Sequence, residues 1–177
     1  GKQLLGEWVE KGLKVWIYNL EDPRDELQRR ITAAMLHYQI APDEIAGRLY
    51  VDTGREVPLT TAVKVRDQTV INRPEMDALA DEITARGIDT LIVDPIVSSH
   101  QIGESDNGAI DAVAKEWARL ADRCNCAIEL VHHSRKTNGE QATTEDARGA
   151  TALLYAARSG RVLNKMSDDL KAEAGVA

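Results

Sequence analysis

The sequence predicts an α/β fold with a largely parallel sheet, and three observations lead to this prediction. Short apolar, β-branched runs alternate along the chain with longer amphipathic stretches. The strand-like runs are continuously apolar, which is typical of parallel strands that are covered on both faces. The length of 177 residues, with 43% hydrophobic and 29% charged residues, fits one globular domain.

The first half of the chain contains, in order, a strand, a helix, a second strand, an ambiguous segment and a second helix. They are predicted at 14–20, from Pro23 onward, at 48–53, at 61–72 and from Pro74 to Arg86. Both prolines suit a first helical position, and Gly87 suits the residue that follows a helix. The segment 61–72 fits either a β-ribbon or an extended loop.

The second half contains a strand, a helix, another strand, a polar loop, a further helix and a last strand. They are predicted at 90–94, 106–123, 126–133, 134–146, 147–158 and 160–167. The helix at 106–123 has one continuous apolar face, on which we expect Trp117 to lie in the core. Residues 1–167 are therefore interpreted as one core, followed by a polar tail at 168–177.

Charge and cysteine content exclude several classes of protein. The net charge of −7 disfavours strong DNA binding by a single chain, because such binding uses many Lys and Arg contacts to phosphate. No apolar run approaches the length of a membrane span, and the sequence shows no signal peptide. Cys124 and Cys126 are too few for a disulfide framework or a zinc site. We expect core thiols in a cytoplasmic protein with no membrane partner.

Titratable residues follow three of the predicted strands. Glu21 and Asp22 end the first strand, Asp94 ends the strand TLIVD, and His132 and His133 end the strand CAIELV. Ligands of parallel sheets bind beyond the carboxyl ends of the strands. An aspartate there can hold Mg²⁺ through water, a second carboxylate can activate a water molecule, and a histidine can bond a phosphate. The pattern favours a nucleotide hydrolase.

Each of these residues also has a plain structural interpretation. Asp94 could cap the next turn, and Asp22 is predicted to be the N-cap of the helix that begins at Pro23. Either histidine could be a satisfied side chain without a role in catalysis. Glu129 lies within an apolar strand and is expected to lie at an interface or to pair with a Lys or Arg, whereas His100 carries no signal beyond a surface or loop residue.

Four runs together carry a resemblance to a known family. They are VWIYNLEDP, TLIVDPIVSSH, DNGAIDAVAKEWARLADRCNCAIELVHHSRK and EDARGATALLYAARSGRVLN. In this order they resemble the RecA-like ATPases related to the hexameric RepA plasmid-replication helicase, and especially the AAA-type P-loop proteins of phages, plasmids and other mobile elements. The resemblance spans about residues 4–167. It implies a three-layer RecA-like fold, Mg²⁺ and ATP as cofactors, a homo-oligomer that is hexameric in the intact family, and DNA contact only through the assembly.

The resemblance also implies roles for residues at the strand ends. Glu21 would activate the hydrolytic water, and Asp94 would be the Walker B aspartate that holds Mg²⁺ through water. His133 would be the sensor near the γ-phosphate, with His132 as the second candidate for this contact with the nucleotide.

Arginines after the polar loop receive further roles from the resemblance. Arg158 would be the arginine finger that reaches the neighbouring subunit's nucleotide, and Arg161 is the competing candidate. Arg148 would position the junction between loop and helix, where Gly149 permits a close backbone approach. As an alternative, Arg158 lies on a solvated helix face or pairs with an acidic neighbour. The loops 98–108 and 134–146 would line a DNA channel, the second through Arg135 and Lys136.

One part of such an ATPase is not found in the sequence. The phosphate-binding motif GxxxxGK[ST] does not occur, since Gly1 and Lys2 are followed by Gln3. We therefore expect a core truncated before its first strand and phosphate loop, with Mg-ATP not bound tightly by this chain alone. Two interpretations follow: the partial core of an ATP-dependent replication or mobile-element helicase, or a non-catalytic protein that oligomerises or regulates.

The missing motif generates a first prediction. The purified 177-residue chain is expected to show no ATP turnover above background, because the motif supplies most of the affinity for the phosphates. Phosphate release should be measured for the chain and for Glu21→Gln purified in parallel. Turnover that Glu21→Gln abolishes would contradict the prediction, whereas equal signals from both would identify a contaminant.

Overall fold

The computed structural model describes residues 2–4, 7–9, 11–134, 141–146 and 151–175. Its strands are β1 (Lys2–Leu4), β2 (Glu7–Val9), β3 (Val15–Asn19), β4 (Leu49–Thr53), β5 (Ala62–Val65), β6 (Gln68–Ile71), β7 (Thr90–Asp94) and β8 (Ala127–Leu130). Its helices are α1 (Arg24–Tyr38), α2 (Pro42–Ile45), α3 (Arg73–Arg86), α4 (Asn107–Cys124), α5 (Ala152–Ala156) and α6 (Asp168–Ala174).

A four-stranded parallel sheet with the strand order β4–β3–β7–β8 organises the fold. Helices connect the strands, as crossovers between parallel strands require. The predicted α/β class with a mostly parallel, helix-flanked sheet is thus confirmed, and the architecture is consistent with a RecA-like fold. None of the helices in the described part of the chain combines the length and hydropathy of a membrane span.

Most of the element predictions in the first half are confirmed. Helix α1 starts directly after Pro23, and α3 ends at Gly87, whose φ of 64° is the left-handed conformation that glycine adopts readily. The ambiguous segment 61–72 is a β-ribbon, because β5 and β6 pair antiparallel. Its turn residues Arg66 and Asp67 have φ values of 47° and 63°, as a tight two-residue hairpin turn needs.

The predicted last strand at 160–167 is wrong, because these residues form no strand in the structure. The segment contacts β8 through a side chain, with Arg161 3.4 Å from Glu129, and Leu163 is 96% exposed. Strand propensity in a short segment depends on packing against a neighbouring strand, which this segment lacks. The predicted polar tail contains α6, which is capped by the Ser167 side chain accepting a hydrogen bond from the Leu170 N–H.

Two predicted elements are shorter in the structure. The strand predicted at 126–133 ends at Leu130, so both histidines lie beyond it. Within the helix predicted at 147–158, only α5 is helical among the described residues, and residues 147–150 lie outside them.

The core lies on one face of the sheet. Leu91 and Val93 of β7 are fully buried there against α3 and α4, and Trp117 is buried with them as predicted. Side chains of the opposite face, such as Ile17 and Ile92, are only half-buried. The expectation of strands covered on both faces is therefore met on one face alone within the described residues.

A matched pair of leucines tests this core. Leu91→Ala is expected to lower the free energy of unfolding by about 2–5 kcal/mol, because it opens a cavity at a residue with 0% exposure. Leu163→Ala is expected to change it by no more than about 0.5 kcal/mol, because Leu163 is 96% exposed. Urea denaturation followed by circular dichroism measures both. Comparable losses would show that Leu163 is packed in solution, against the structure.

Candidate active site

The carboxyl ends of β3 and β7 form the candidate site. The two strands are parallel neighbours, and Asn19 at the end of β3 is paired with Asp94 at the end of β7. The pairing continues past β3, since the Leu20 N–H donates to the Asp94 carbonyl at 2.7 Å. Because β8 lies on the other side of β7, the residues that follow all three strands meet at one edge of the sheet.

His133 is the histidine that reaches this edge. Its Nε2 lies 3.9 Å from Oε1 of Glu21, and both side chains are about half exposed, 56% and 54%. This separation permits an ion pair when the imidazole is protonated. The structure therefore brings together Glu21 and His133, which the sequence placed at the ends of two different strands.

His132 faces a different part of the molecule. Its Nδ1 accepts a hydrogen bond from the His133 N–H at 3.0 Å, and its side chain lines a small cavity with His100, Glu104 and Leu153. His133 is therefore better placed than His132 to contact a ligand at the site edge. The role of His132 as a nucleotide contact stays a prediction.

His100 lies in a loop, as one of the two expected alternatives has it, but it is buried and not a surface residue. It is 8% exposed and accepts the Ile102 N–H at Nδ1, at 3.2 Å. Burial lowers the pKa of His100, an effect that nearby Glu104 opposes. Sequence reasoning missed its burial because some of the residues around it, such as His132 and Leu153, are distant in the chain.

Asp22 does not cap α1 as predicted. The N-cap position belongs to Pro23, which has no side-chain hydrogen bond to the helix. The Asp22 carboxylate instead binds Arg30, two turns along α1, at 2.7 Å. The negative charge of Asp22 lies close enough to Asp94 to raise the pKa of that carboxyl group.

The loop that carries Glu21 is held from β4. The buried Thr53 hydroxyl donates to the Asp22 carbonyl at 2.6 Å, and Arg55 donates to the Glu21 carbonyl at 2.7 Å. Gly54 passes so close that a Cβ there would lie 3.0 Å from the backbone of Leu20. A larger residue would push the loop, and Glu21 with it, away from the sheet.

Asn19 is the site residue that sequence reasoning missed. It is 5% exposed, and its Oδ1 accepts from the N–H groups of Glu21 at 3.0 Å and of Asp22 at 2.7 Å. Its Nδ2 lies 3.5 Å from Oδ2 of Asp22 and 3.5 Å from Oδ2 of Asp94. An Asn two residues before an acidic pair is the local signal for it, since Asn and Asp favour turns.

The electrostatic surroundings of Asp94 are unfavourable for its charge. Partial burial raises its pKa most, and the neighbouring Glu21 carboxylate raises it further, while His133 acts in the opposite direction. Closely spaced carboxylates that are partly shielded from water are stabilised when a cation binds between them. A cation at this edge would relieve the unfavourable charge of Asp94.

The two candidate arginine fingers follow α5 in the chain. Arg158 is exposed just beyond α5, while Arg161 is already 3.4 Å from Glu129. The expectation that Glu129 pairs with a basic residue is thus confirmed. Arg148 and Gly149, like Arg135 and Lys136 of the polar loop, lie outside the described residues.

The donor set fits Mg²⁺ better than a transition metal. Within the described residues, no three His, Cys, Asp or Glu side chains converge as a complete metal site. Mg²⁺ needs no such cage, because it keeps several waters and takes one or two carboxylates together with substrate phosphates. The oxygen donors of Asp94 and its acidic neighbours have this chemistry, and Asp94 would be the residue that holds the ion.

Comparison with models of protein families identifies a family for this chain. A family model described as an AAA domain matches residues 1–139, which is more than half of the chain. The matched region includes β3, β7 and β8 and therefore every strand end of the candidate site. A search of curated proteins found no significant match.

The raised pKa of Asp94 generates a prediction about stability. The folded chain binds the Asp94 proton more readily than the unfolded chain, so stability falls as the pH rises between the unfolded and folded pKa values. Asp94→Asn removes the charge and should melt at a higher temperature than wild type at about pH 7, with the difference vanishing at about pH 3. Thermal unfolding followed by circular dichroism measures both.

The control is Asp81→Asn, an exposed substitution in the middle of α3. It is expected to leave the melting temperature unchanged at both pH values. A lower melting temperature of Asp94→Asn at neutral pH would show that the carboxylate stabilises the fold, contrary to its surroundings.

Proposed function

The chain belongs to the AAA domain family, and on this premise we propose that it forms part of a RecA-like ATPase acting in DNA replication or on a mobile element. The observation that carries the proposal is the meeting of Glu21, Asp94 and His133 at one edge of a parallel sheet. An AAA-type domain in general depends on nucleotide and Mg²⁺.

The two carboxylates have different surroundings, and this supports different roles. Glu21 is 54% exposed, so a water molecule has access to its carboxylate. A carboxylate in that position can orient the water and accept its proton. Asp94 is half-buried at the end of its strand, where it would hold Mg²⁺ through water. Bound Mg-ATP would supply the phosphoryl group and the positive charge that steadies it.

His133 would respond to the nucleotide through its distance to Glu21. An imidazole 3.9 Å from Oε1 of Glu21 can hold that carboxylate while no phosphate is present. A hydrogen bond from His133 to the γ-phosphate would release Glu21 toward the water. Loss of the γ-phosphate would then return His133 to Glu21, so that the position of Glu21 would depend on whether the phosphate is bound.

An arginine finger would come from a neighbouring copy in a ring, a hexamer by the family resemblance. Arg158 suits the role better than Arg161, because Arg158 is exposed and Arg161 already pairs with Glu129. DNA would lie in the channel of such a ring, with the loop 98–108 facing it. A single acidic chain does not offer this binding surface.

A second candidate function is that of a non-catalytic protein that oligomerises or regulates. The observation favouring it is that the sequence lacks the GxxxxGK[ST] motif. The half-buried face of the sheet would then be covered by self-association. Thermal stabilisation by Mg-ATP separates the two candidates, since a ligand that binds the native state raises its stability.

The decisive experiment uses the protein encoded by the complete source reading frame, whose extent is mapped first. In that protein, Glu21→Gln is expected to lower kcat for ATP by about 10²–10⁴-fold and to leave ATP binding intact. Asp94→Asn is expected to weaken the binding of Mg²⁺, so that turnover needs a higher Mg²⁺ concentration. Steady-state phosphate release and nucleotide titration measure these effects.

The matched control is Glu75→Gln, in the first turn of α3 and outside the strand ends that form the site. It should retain wild-type turnover. Equal turnover in Glu21→Gln and Glu75→Gln would reject the catalytic role of Glu21. Failure of Mg-ATP to raise the melting temperature of the complete protein would favour the non-catalytic candidate.

A further inference from the structure

We infer that Asn19 is the positioning residue of the site: its side chain sets the distance between Glu21 and Asp94 and tunes how strongly the acidic edge attracts a divalent cation. The inference rests on the proposed function, because the cation is that of a Mg-nucleotide site. It concerns a residue that touches neither water nor phosphate in the proposed reaction.

The orientation of the Asn19 amide is determined by its contacts. Two backbone N–H groups, those of Glu21 and Asp22, point at one end of the amide from 3.0 and 2.7 Å. Only the oxygen can accept them, so this end is Oδ1. The NH₂ group must then face the opposite side, where Asp22 and Asp94 each place Oδ2 at 3.5 Å.

The oxygen end of Asn19 fixes the course of the loop. By accepting both N–H groups it bends the chain directly after β3, so that Glu21 turns back over the end of the sheet. Asn19 is itself anchored opposite Asp94 by the strand pairing and is 5% exposed. One buried side chain therefore connects the residue proposed to activate water with the residue proposed to hold the ion.

The nitrogen end of Asn19 acts on charge. It places a neutral donor between the carboxylates of Asp22 and Asp94, at the long end of hydrogen-bond distances. The donor reduces the repulsion between these carboxylates without neutralising either. A carboxylate in place of the amide would keep the acceptor oxygen but add a third negative charge, which raises affinity for divalent cations.

Two substitutions separate these two actions. Asn19→Ala removes both ends of the amide, whereas Asn19→Asp keeps the acceptor and removes the donor. Asn107→Asp is the matched control, because it makes the same change of charge at an exposed position at the start of α4. Circular dichroism establishes that each variant of the 177-residue chain is folded.

The first measurement is amide hydrogen exchange by NMR. Asn19→Ala is expected to accelerate exchange at the amides of Glu21 and Asp22 by about tenfold, because each loses its hydrogen-bond acceptor. The amide of Val131, which donates to the Val93 carbonyl, serves as the internal reference and should not change. Asn19→Asp should restore protection of both amides. Unchanged exchange in Asn19→Ala, or acceleration that Asn19→Asp does not reverse, would overturn the positioning role.

The second measurement is titration with Mn²⁺, a paramagnetic substitute for Mg²⁺ that also prefers oxygen ligands. Broadening of the signals of Glu21 and Asp94 reports where the ion binds. Asn19→Asp is expected to lower the dissociation constant by about three- to tenfold at low ionic strength, and Asn107→Asp to leave it unchanged. An unchanged constant in Asn19→Asp, or equal effects of both variants, would overturn the tuning role.

The two measurements distinguish failure of the inference from failure of the proposed function. If the wild-type chain shows no Mn²⁺ broadening at the strand ends but Asn19→Asp gains it, the tuning role stands and the wild-type cation site does not. If neither chain binds Mn²⁺, the tuning role is overturned together with the cation site, and exchange at Glu21 and Asp22 still decides the positioning role. Should Asn19→Ala fail to fold, Asn19→Asp carries both measurements, with preserved protection and tighter Mn²⁺ binding as the supporting result.

Discussion

Every feature of the site depends on the parallel pairing of β3 with β7. The register places Asn19 opposite Asp94, and a slip of one residue would turn these side chains to opposite faces of the sheet. The register is held by the core face of the same strands, where Tyr18 and Val93 are paired and buried. The apolar core thus specifies the geometry of a polar edge that contributes little to the core itself.

That polar edge is kept under electrostatic tension. Asp94 is partly removed from water and lies near other carboxylates, so its charge is disfavoured in the absence of a cation. The surrounding contacts, from Arg30 to Asp22 and from Thr53 to the loop backbone, hold the arrangement against this repulsion. Carboxyl groups whose pKa is raised in this way are typical of functional sites.

The sequence was sufficient for what depends on local pattern and general topology. Alternation of apolar strands and amphipathic helices predicted the sheet. The rule that ligands bind beyond parallel strand ends selected Glu21, Asp22, Asp94, His132 and His133, and only the family resemblance assigned roles among them. It was insufficient for what depends on a distant partner. The Asp22 side chain, predicted to cap the helix, pairs with Arg30 instead, and the segment 160–167 has no strand to pair with. His100 is buried by residues that are partly distant in the chain. Asn19 was missed because its partner Asp94 lies on another strand.

The contacts of the strand ends bear on the proposed hydrolase. Positioning of the carboxylates is achieved by β3, β4 and β7 with their own core and hydrogen bonds, whereas affinity for phosphates needs a cradle of backbone N–H groups. Since Asn19, Thr53 and Arg55 hold the Glu21 loop from within the described chain, the acidic edge keeps its geometry independently of such a cradle. In the proposed hydrolase, a substitution at Asn19 would therefore act first on the placement of the Glu21 loop, whose backbone N–H groups it accepts.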